Sequence, residues 1–496
     1  MIASAPRKVA PPAKRPDALH PPVPLVLRHK LRHAALSFTT TPAILRLALG
    51  GTWALCVVTL LAAYVGIERH RHEMQAIGKD SAPSIIAAQE IRTSLADMQV
   101  DVARELLSAT DASRAPAEAY EQRRHEAATS LVTAAENITY GNAERVPIRT
   151  MVFASGTFEQ DVARARVLHA RRDPGFLPQL RDADRVLHEE LLPAADALDK
   201  ANLDALDQAY DFERFSAGLG TAAFIAAALA LLLVLIGTQV FLFRRMRRVF
   251  NLPLFGASLL LVWLLIWLVA NFMTESHELK VVKEDCFDSI HALSRARSYA
   301  YDARGSQLLR LLDSQRADVL GTGFSDNTAK LVKLDAGATL ESIVQGAESS
   351  GGASGFTGCL ADELHNITFE GEREAAVDTL RGFAEYLAAS TVEAQLAGAA
   401  DTRAVGLALS DSANISDGGA TTAAGGLPMR GCGYAFDKFD TALGRTLAIN
   451  QREFDAALER GMAALESRVA TSVAIMAAVI ILTYLGFRPR LREYAT

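Results

Sequence analysis

Four long uncharged runs alternate with two long polar segments along this 496-residue chain. Leu47–Ile67, Ala217–Phe243, Phe250–Met273 and Ala470–Phe487 hold no Asp, Glu, Lys, Arg or His. Each approaches or exceeds the roughly 20 residues that carry a helix across a hydrocarbon core of about 30 Å. The pattern predicts spans at 44–67, 217–243, 250–273 and 470–487, in the order span, polar segment, span, and then the same again. The polar segments carry helical periodicity. Ala88, Ile91, Leu95, Met98, Val102 and Leu106 recur every three or four residues, the stripe of an amphipathic helix. Leu187, Leu191, Leu198, Leu206 and Phe215 form a second stripe that runs into the next span. Breakers at Ala115–Pro116, Gly141–Asn142 with Pro147, and Asp173–Pro174–Gly175 with Pro178 cut 68–216 into four helices, most simply an antiparallel bundle. The segment 274–469 repeats the plan with insertions. Ile290, Leu293 and Leu308–Leu309–Leu312 mark its first helix, and Glu370–Leu396 a middle helix. A last helix is marked by Phe436, Phe439, Leu443, Leu447, Phe454, Leu458, Met462, Leu465 and Val469. The Gly/Ser/Ala-rich stretches 346–358 and 411–426 read as flexible loops. The expected fold is all-α and integral to the membrane, with four transmembrane helices and two extracytoplasmic helical-bundle domains. Ser84–Asp111 and Asp288–Asp313 each pair an early Ile with a later Leu-rich turn, a weak trace of duplication.

Charge orients this plan. The arm 1–43 with Arg46, the loop 244–249 and the tail 488–496 hold 15 Lys or Arg against Asp17 and Glu493 alone, leaving 36 basic and 55 acidic residues for the two large segments. Basic short loops stay in the cytoplasm, so both termini and the loop bearing Arg244, Arg245, Arg247 and Arg248 are expected inside the cell membrane. The overall charge of -6 averages a basic inner strip and an acidic exterior. The Pro- and Arg-rich arm cannot bury enough apolar surface to fold alone. It reads as a disordered leader attracted to anionic lipid, with a docking peptide for a cytoplasmic partner as the alternative. The first apolar run is longer than the core of a secretory signal and follows more than forty residues, so an uncleaved anchor is expected.

The chemistry is sparse. No phosphate-cradling loop, zinc-type Cys or His pairing, or nucleophile elbow occurs, so the expectation is no enzyme, no cofactor and no metal. Asp362, Glu363, His365, Glu370, Glu372 and Glu374 form an acidic cluster, read as a solvated helix start. Cys359 and Cys432 follow the two Gly-rich loops and could close a disulfide on an oxidising face, with Cys286 a competing partner. Cys56 lies in the first span and reads as a packed, inert thiol. The spans lack the ionisable groups of pumps and transporters. The cytoplasmic pieces are too small to fold into a kinase or coupling domain. An external signal must therefore leave through helix movement read by another protein; the Arg loop is the candidate contact. The alternative is a structural or accessory subunit of a transport or envelope complex. Nothing suggests nucleic-acid binding.

Bundles whose terminal helices continue into spans are similar to the sensor domains of chemoreceptors and sensor kinases, though the chemoreceptor signalling coiled coil is missing here. In layout the whole chain resembles GlnX-type bacterial four-span proteins, with local similarity at Gly358–Ala375, Phe436–Phe454 and Gly486–Tyr494. That resemblance implies a relay between an external solute-binding lipoprotein and a soluble Ser/Thr kinase. The bundle likeness adds a homodimer as a possible working state.

Overall fold

The structure is a computed structural model that describes residues 41–108, 114–246, 251–350, 354–411 and 431–492. The arm through residue 40, Arg247 and Arg248, residues 412–426 of the second Gly-rich stretch and the last four residues lie outside the described residues. The first half contains α1 (Thr41–Gln75), α2 (Ala82–Leu107), α3 (Arg114–Glu136), α4 (Asn142–Ala170), α5 (Phe176–Val186) and α6 (Leu192–Met246). The second contains α7 (Leu252–Lys280), α8 (Asp288–Leu312), α9 (Ala317–Leu331), α10 (Leu340–Ser350), α11 (Cys359–His365), α12 (Glu372–Gly398), α13 (Arg403–Leu409) and α14 (Cys432–Arg492). One two-residue antiparallel ladder pairs β1 (Lys333–Leu334) with β2 (Phe356–Thr357), Lys333 opposite Thr357. Four helical runs, Ala43–Leu107, Phe176–Arg244, Leu252–Leu312 and Cys432–Pro489, are long and apolar enough to cross a membrane.

The chain divides into two compact units. One holds the described parts of residues 1–59, 227–263 and 474–496. There Leu45, Cys56, Leu235, Leu254, Leu261, Val479 and Phe487 face inward, while Leu47, Leu233 and Leu252 are 65%, 70% and 73% exposed. Outward apolar side chains suit a lipid solvent, and several polar ones bond inside. Thr52 and Thr238 each donate to the carbonyl four residues earlier at 2.7 Å, and Asn251 Nδ2 donates to Gly486 O at 2.9 Å.

The other unit is residues 60–226 and 264–473. The stripe expected on α2 is buried at every position from Ala88 to Leu106. Leu187, Leu191, Leu198 and Leu206 are buried too, but Phe215 is 73% exposed, at the point where the helix turns apolar on all sides. The two polar segments share one core: Ile91, Leu95, Phe158 and Leu191 of the first belong to the same cluster as Leu293, Leu308, Phe383, Phe436 and Phe439 of the second. First helix packs on first helix, α2 against α8. A Cβ on Gly305 would lie 2.6 Å from Gln99 Oε1, so a larger residue there would require the Gln99 side chain, which donates to Asp184, to shift.

Duplication shows in finer detail than the sequence stripes reveal. The helix leaving the first apolar run passes through a π-helical segment, Ala76–Ser81, before α2. The helix leaving the third does the same at Val281–Phe287 before α8. Two turns also repeat. Asn137-Ile138-Thr139-Tyr140-Gly141 precedes Glu144-Arg145, and Asn366-Ile367-Thr368-Phe369 precedes Gly371-Glu372-Arg373. In the first, Glu144 Oε2 accepts from the backbone N–H of Thr139 and Tyr140 at 2.7 and 2.5 Å. In the second, Glu372 Oε2 accepts from Thr368 and Phe369 at 2.7 and 2.9 Å. The turns reverse through Gly141 at φ +66° and Gly371 at φ +79°, left-handed conformations that glycine adopts without strain. Each turn touches the π segment of its own half. Tyr140 Oη meets Ser81 Oγ at 3.1 Å. Asn366 Nδ2 reaches the carbonyls of Glu284 and Asp285 at 2.9 and 3.1 Å, and Ser289 Oγ at 3.0 Å.

The disulfide reading is corrected. All four cysteines are free thiols. Cys359 neighbours Arg295 and Cys432 neighbours Arg304.

Candidate functional site

A cavity of about 910 Å³ opens where the two halves meet, between α2, α3, α8 and α14. Its walls follow from the helical repeat: Gln89, Glu90, Thr93, Ser94 and Asp97 project from successive turns of α2. Arg123 of α3 bonds Asp97 Oδ2 at 2.6 Å and Glu126 Oε2 at 2.6 Å. Arg297 of α8 makes a bidentate pair with Asp440 of α14, both contacts at 2.7 Å. Among the described residues Glu90 accepts only a hydroxyl bond, from Ser130 at 2.9 Å. Burial pushes the Asp97 carboxyl above its usual range, and the Arg123 guanidinium offsets only part of the shift. Asp101, one turn on, moves the same way through burial and the nearby Asp97 charge, and its Oδ2 has no partner. Ile86, Ile290 and Leu447 supply an apolar strip between the polar groups.

Beside the cleft a buried polar network ties the halves together. Arg92 of α2 donates to Asp196 Oδ1 at 2.6 Å and to Ser298 Oγ, and its Nη2 lies 3.6 Å from Asp302 Oδ2 on α8. Its guanidinium stacks over Tyr299, 4.7 Å from the ring centre. His188 bridges Asp184 at 3.1 Å and Asp302 at 3.2 Å. Burial opposes charge on this imidazole, yet the two carboxylates outweigh it and raise its pKa to about 10. Asp184 also receives Gln99 Nε2 and Arg316 Nη1, both at 2.7 Å. His291 of α8 meets Asp199 at 3.1 Å. This interface is held by charges matched across the halves, none of which helical periodicity could identify.

The acidic cluster divides in a way its composition did not indicate. Asp362, His365, Glu370 and Glu374 are exposed, whereas Glu363 is 1% and Glu372 0% exposed. Asn450 Nδ2 donates to Glu372 Oε1 at 2.7 Å and to Glu363 Oε1 at 3.4 Å. Glu372 serves as the backbone acceptor of the repeated turn. Burial, together with the Glu372 charge, pushes the Glu363 carboxyl well above the usual carboxylate range. Among the described residues no group of three or more His, Cys, Asp or Glu could hold a metal ion. Of the Arg loop, Arg244 is exposed at the end of α6, while the side chain of Arg245 is outside the described set.

The family comparison falls on the helices that build one wall of the cleft. Residues 73–211 match the model of the actinobacterial sensor domain. The match supports a bacterial sensor protein. It takes in α2 through α5, their preceding π segment and the start of α6, so Gln89, Glu90, Asp97 and Arg123 all lie within the sensor-like segment. The second wall comes from the duplicated half, beyond the matched residues. No curated protein and no solved structure matches the chain.

Proposed function

We propose that the chain is a transmembrane sensor. A ligand, or a ligand-loaded binding protein, engages the cleft between the halves and changes how α2 packs on α8. The helical continuations then carry that change to a cytoplasmic partner, a Ser/Thr kinase or another effector. The observation that carries the reading is continuity: α2 and α8, which face one another beside the cleft, each join an apolar helix through a π segment with no loop between. The orientation, with both termini and the Arg loop inside, rests on the distribution of basic residues.

Transmission needs an element with two arrangements, not merely a rigid rod. The π segments are suited to this, because an extra residue per turn can be redistributed along a helix at small cost, and such bulges recur at functional positions. The repeated turns hold them: Asn366 bonds two carbonyls of Val281–Phe287, and Tyr140 meets the last residue of Ala76–Ser81. Ligand binding can shift this balance only through different affinity for the two arrangements. The test is photo-crosslinking from Arg244 in intact cells. Recovery of one effector, in an amount that changes when Asp97 is replaced by Asn, is expected. Failure to recover any protein from this position and from the tail contradicts the relay.

A further inference from the structure

The chemistry of the cleft narrows its ligand, given the reading above that the cleft is where a ligand binds. Its two arginines are already committed, and His125, which also lines it, is exposed. Arg123 is held by Asp97 and Glu126, and Arg297 by both oxygens of Asp440. A ligand carboxylate would have to displace one of these carboxylates and leave it buried without its partner, an unfavourable exchange. The acceptors, by contrast, are in excess. Glu90 meets a hydroxyl and no cation, and Asp455, where the groove continues toward Gly78 and Leu458, receives only Gln451 Nε2 at 3.3 Å. Gln89 lines the cavity, is 3% exposed, and its Oε1 has no hydrogen-bond donor. A buried carbonyl oxygen in that state wants an N–H. Ile86, Ile290 and Leu447 offer a strip for methylene groups.

We infer that the cleft binds a small aliphatic amine, with its ammonium group donating to Glu90 and Gln89 Oε1 and its methylene chain lying on Ile86, Ile290 and Leu447. A primary ammonium has three donors and no acceptor; that matches a wall rich in acceptors whose arginines are already occupied. Diamines and amino acids with a basic side chain both present this group.

The experiment uses the full chain in lipid nanodiscs at fixed ionic strength, with putrescine, lysine and glutamate as probes, read by calorimetry and by thermal unfolding. Putrescine and lysine are expected to bind and raise the unfolding temperature, and glutamate to do neither. Glu90→Gln should weaken amine binding at least tenfold. Glu90 is exposed and bonded only to a hydroxyl, so this variant is expected to fold as the parent does. Gln89→Leu, which removes the buried acceptor, should weaken it further. Binding of glutamate without the amines, amine binding unchanged in Glu90→Gln, or no binding by any probe each overturns the ligand assignment. The Arg244 crosslinking does not depend on these probes, so effector recovery would leave the sensor reading standing when the amine assignment fails.

Discussion

At the scale of residues, buried charges make the sharpest predictions. His188 is held protonated by Asp184 and Asp302 up to about pH 10, against about 6.5 in an unfolded chain. Its contribution to stability is therefore complete below pH 6.5 and is lost as pH rises toward 10. Its imidazole resonances should show the charged form at pH 8, and His188→Gln should flatten the decline of stability above pH 7. Glu363 acts in the same direction by another route. Its folded-state pKa is raised, so the folded chain holds a proton that the unfolded chain releases above about pH 4.3. Stability is again present at low pH and declines as pH rises toward that raised value. Glu363→Gln keeps a neutral group beside Glu372 and should remove this part of the decline. Replacing Glu372 by Gln exchanges a charged acceptor of two backbone N–H groups for a neutral one, at a cost of about 1–3 kcal/mol in chemical denaturation. None of this was legible in the sequence. Arg92 and Ser298 are 206 positions apart, and Glu363 and Asn450 are 87 apart. Only the fold makes them neighbours, which is why the acidic cluster read as a solvated helix start.

At the scale of elements, far more was readable, because a helix writes its buried face locally. The stripe on α2, the breakers near Pro116, Gly141 and Gly175, and the middle helix now seen at Glu372–Gly398 all follow from spacing alone. The π segments did not. Their sequences, AIGKDS and VVKEDCF, carry no shared periodic signal, and each is contacted by a turn distant in sequence. Asn366→Ala removes the side chain that bonds Glu284 O and Asp285 O. Amide hydrogen exchange over Val281–Phe287 should accelerate in that variant, with little change in α12. Equal acceleration across the second half would instead mean that Asn366 supports global stability. The repeated string Asn-Ile-Thr-Tyr/Phe was visible in the sequence, but three identical residues and an aromatic acquire meaning only when their hydrogen bonds also match.

At the scale of the whole molecule, the two polar segments that patterning separates are joined in one core by α2 and α8. A duplicated half cannot be expected to stand alone. Residues 68–216 by themselves would expose Gln89, Arg92 and Gln99 without His291, Ser298 and Gly305 opposite. That fragment is predicted to self-associate or to lose cooperative unfolding, as sedimentation and calorimetry would reveal; a cooperative monomer would contradict the shared core. The most direct test of the central claim is a pair of distances in the full chain in lipid. Spin labels at Thr93 and Ser294 report on α2 against α8 beside the cleft, and labels at Leu47 and Leu252 report on the far ends of the same two continuous helices. The account predicts that a ligand bound in the cleft changes both distances. A change confined to the first pair, or no change in either with the cleft occupied, would contradict it.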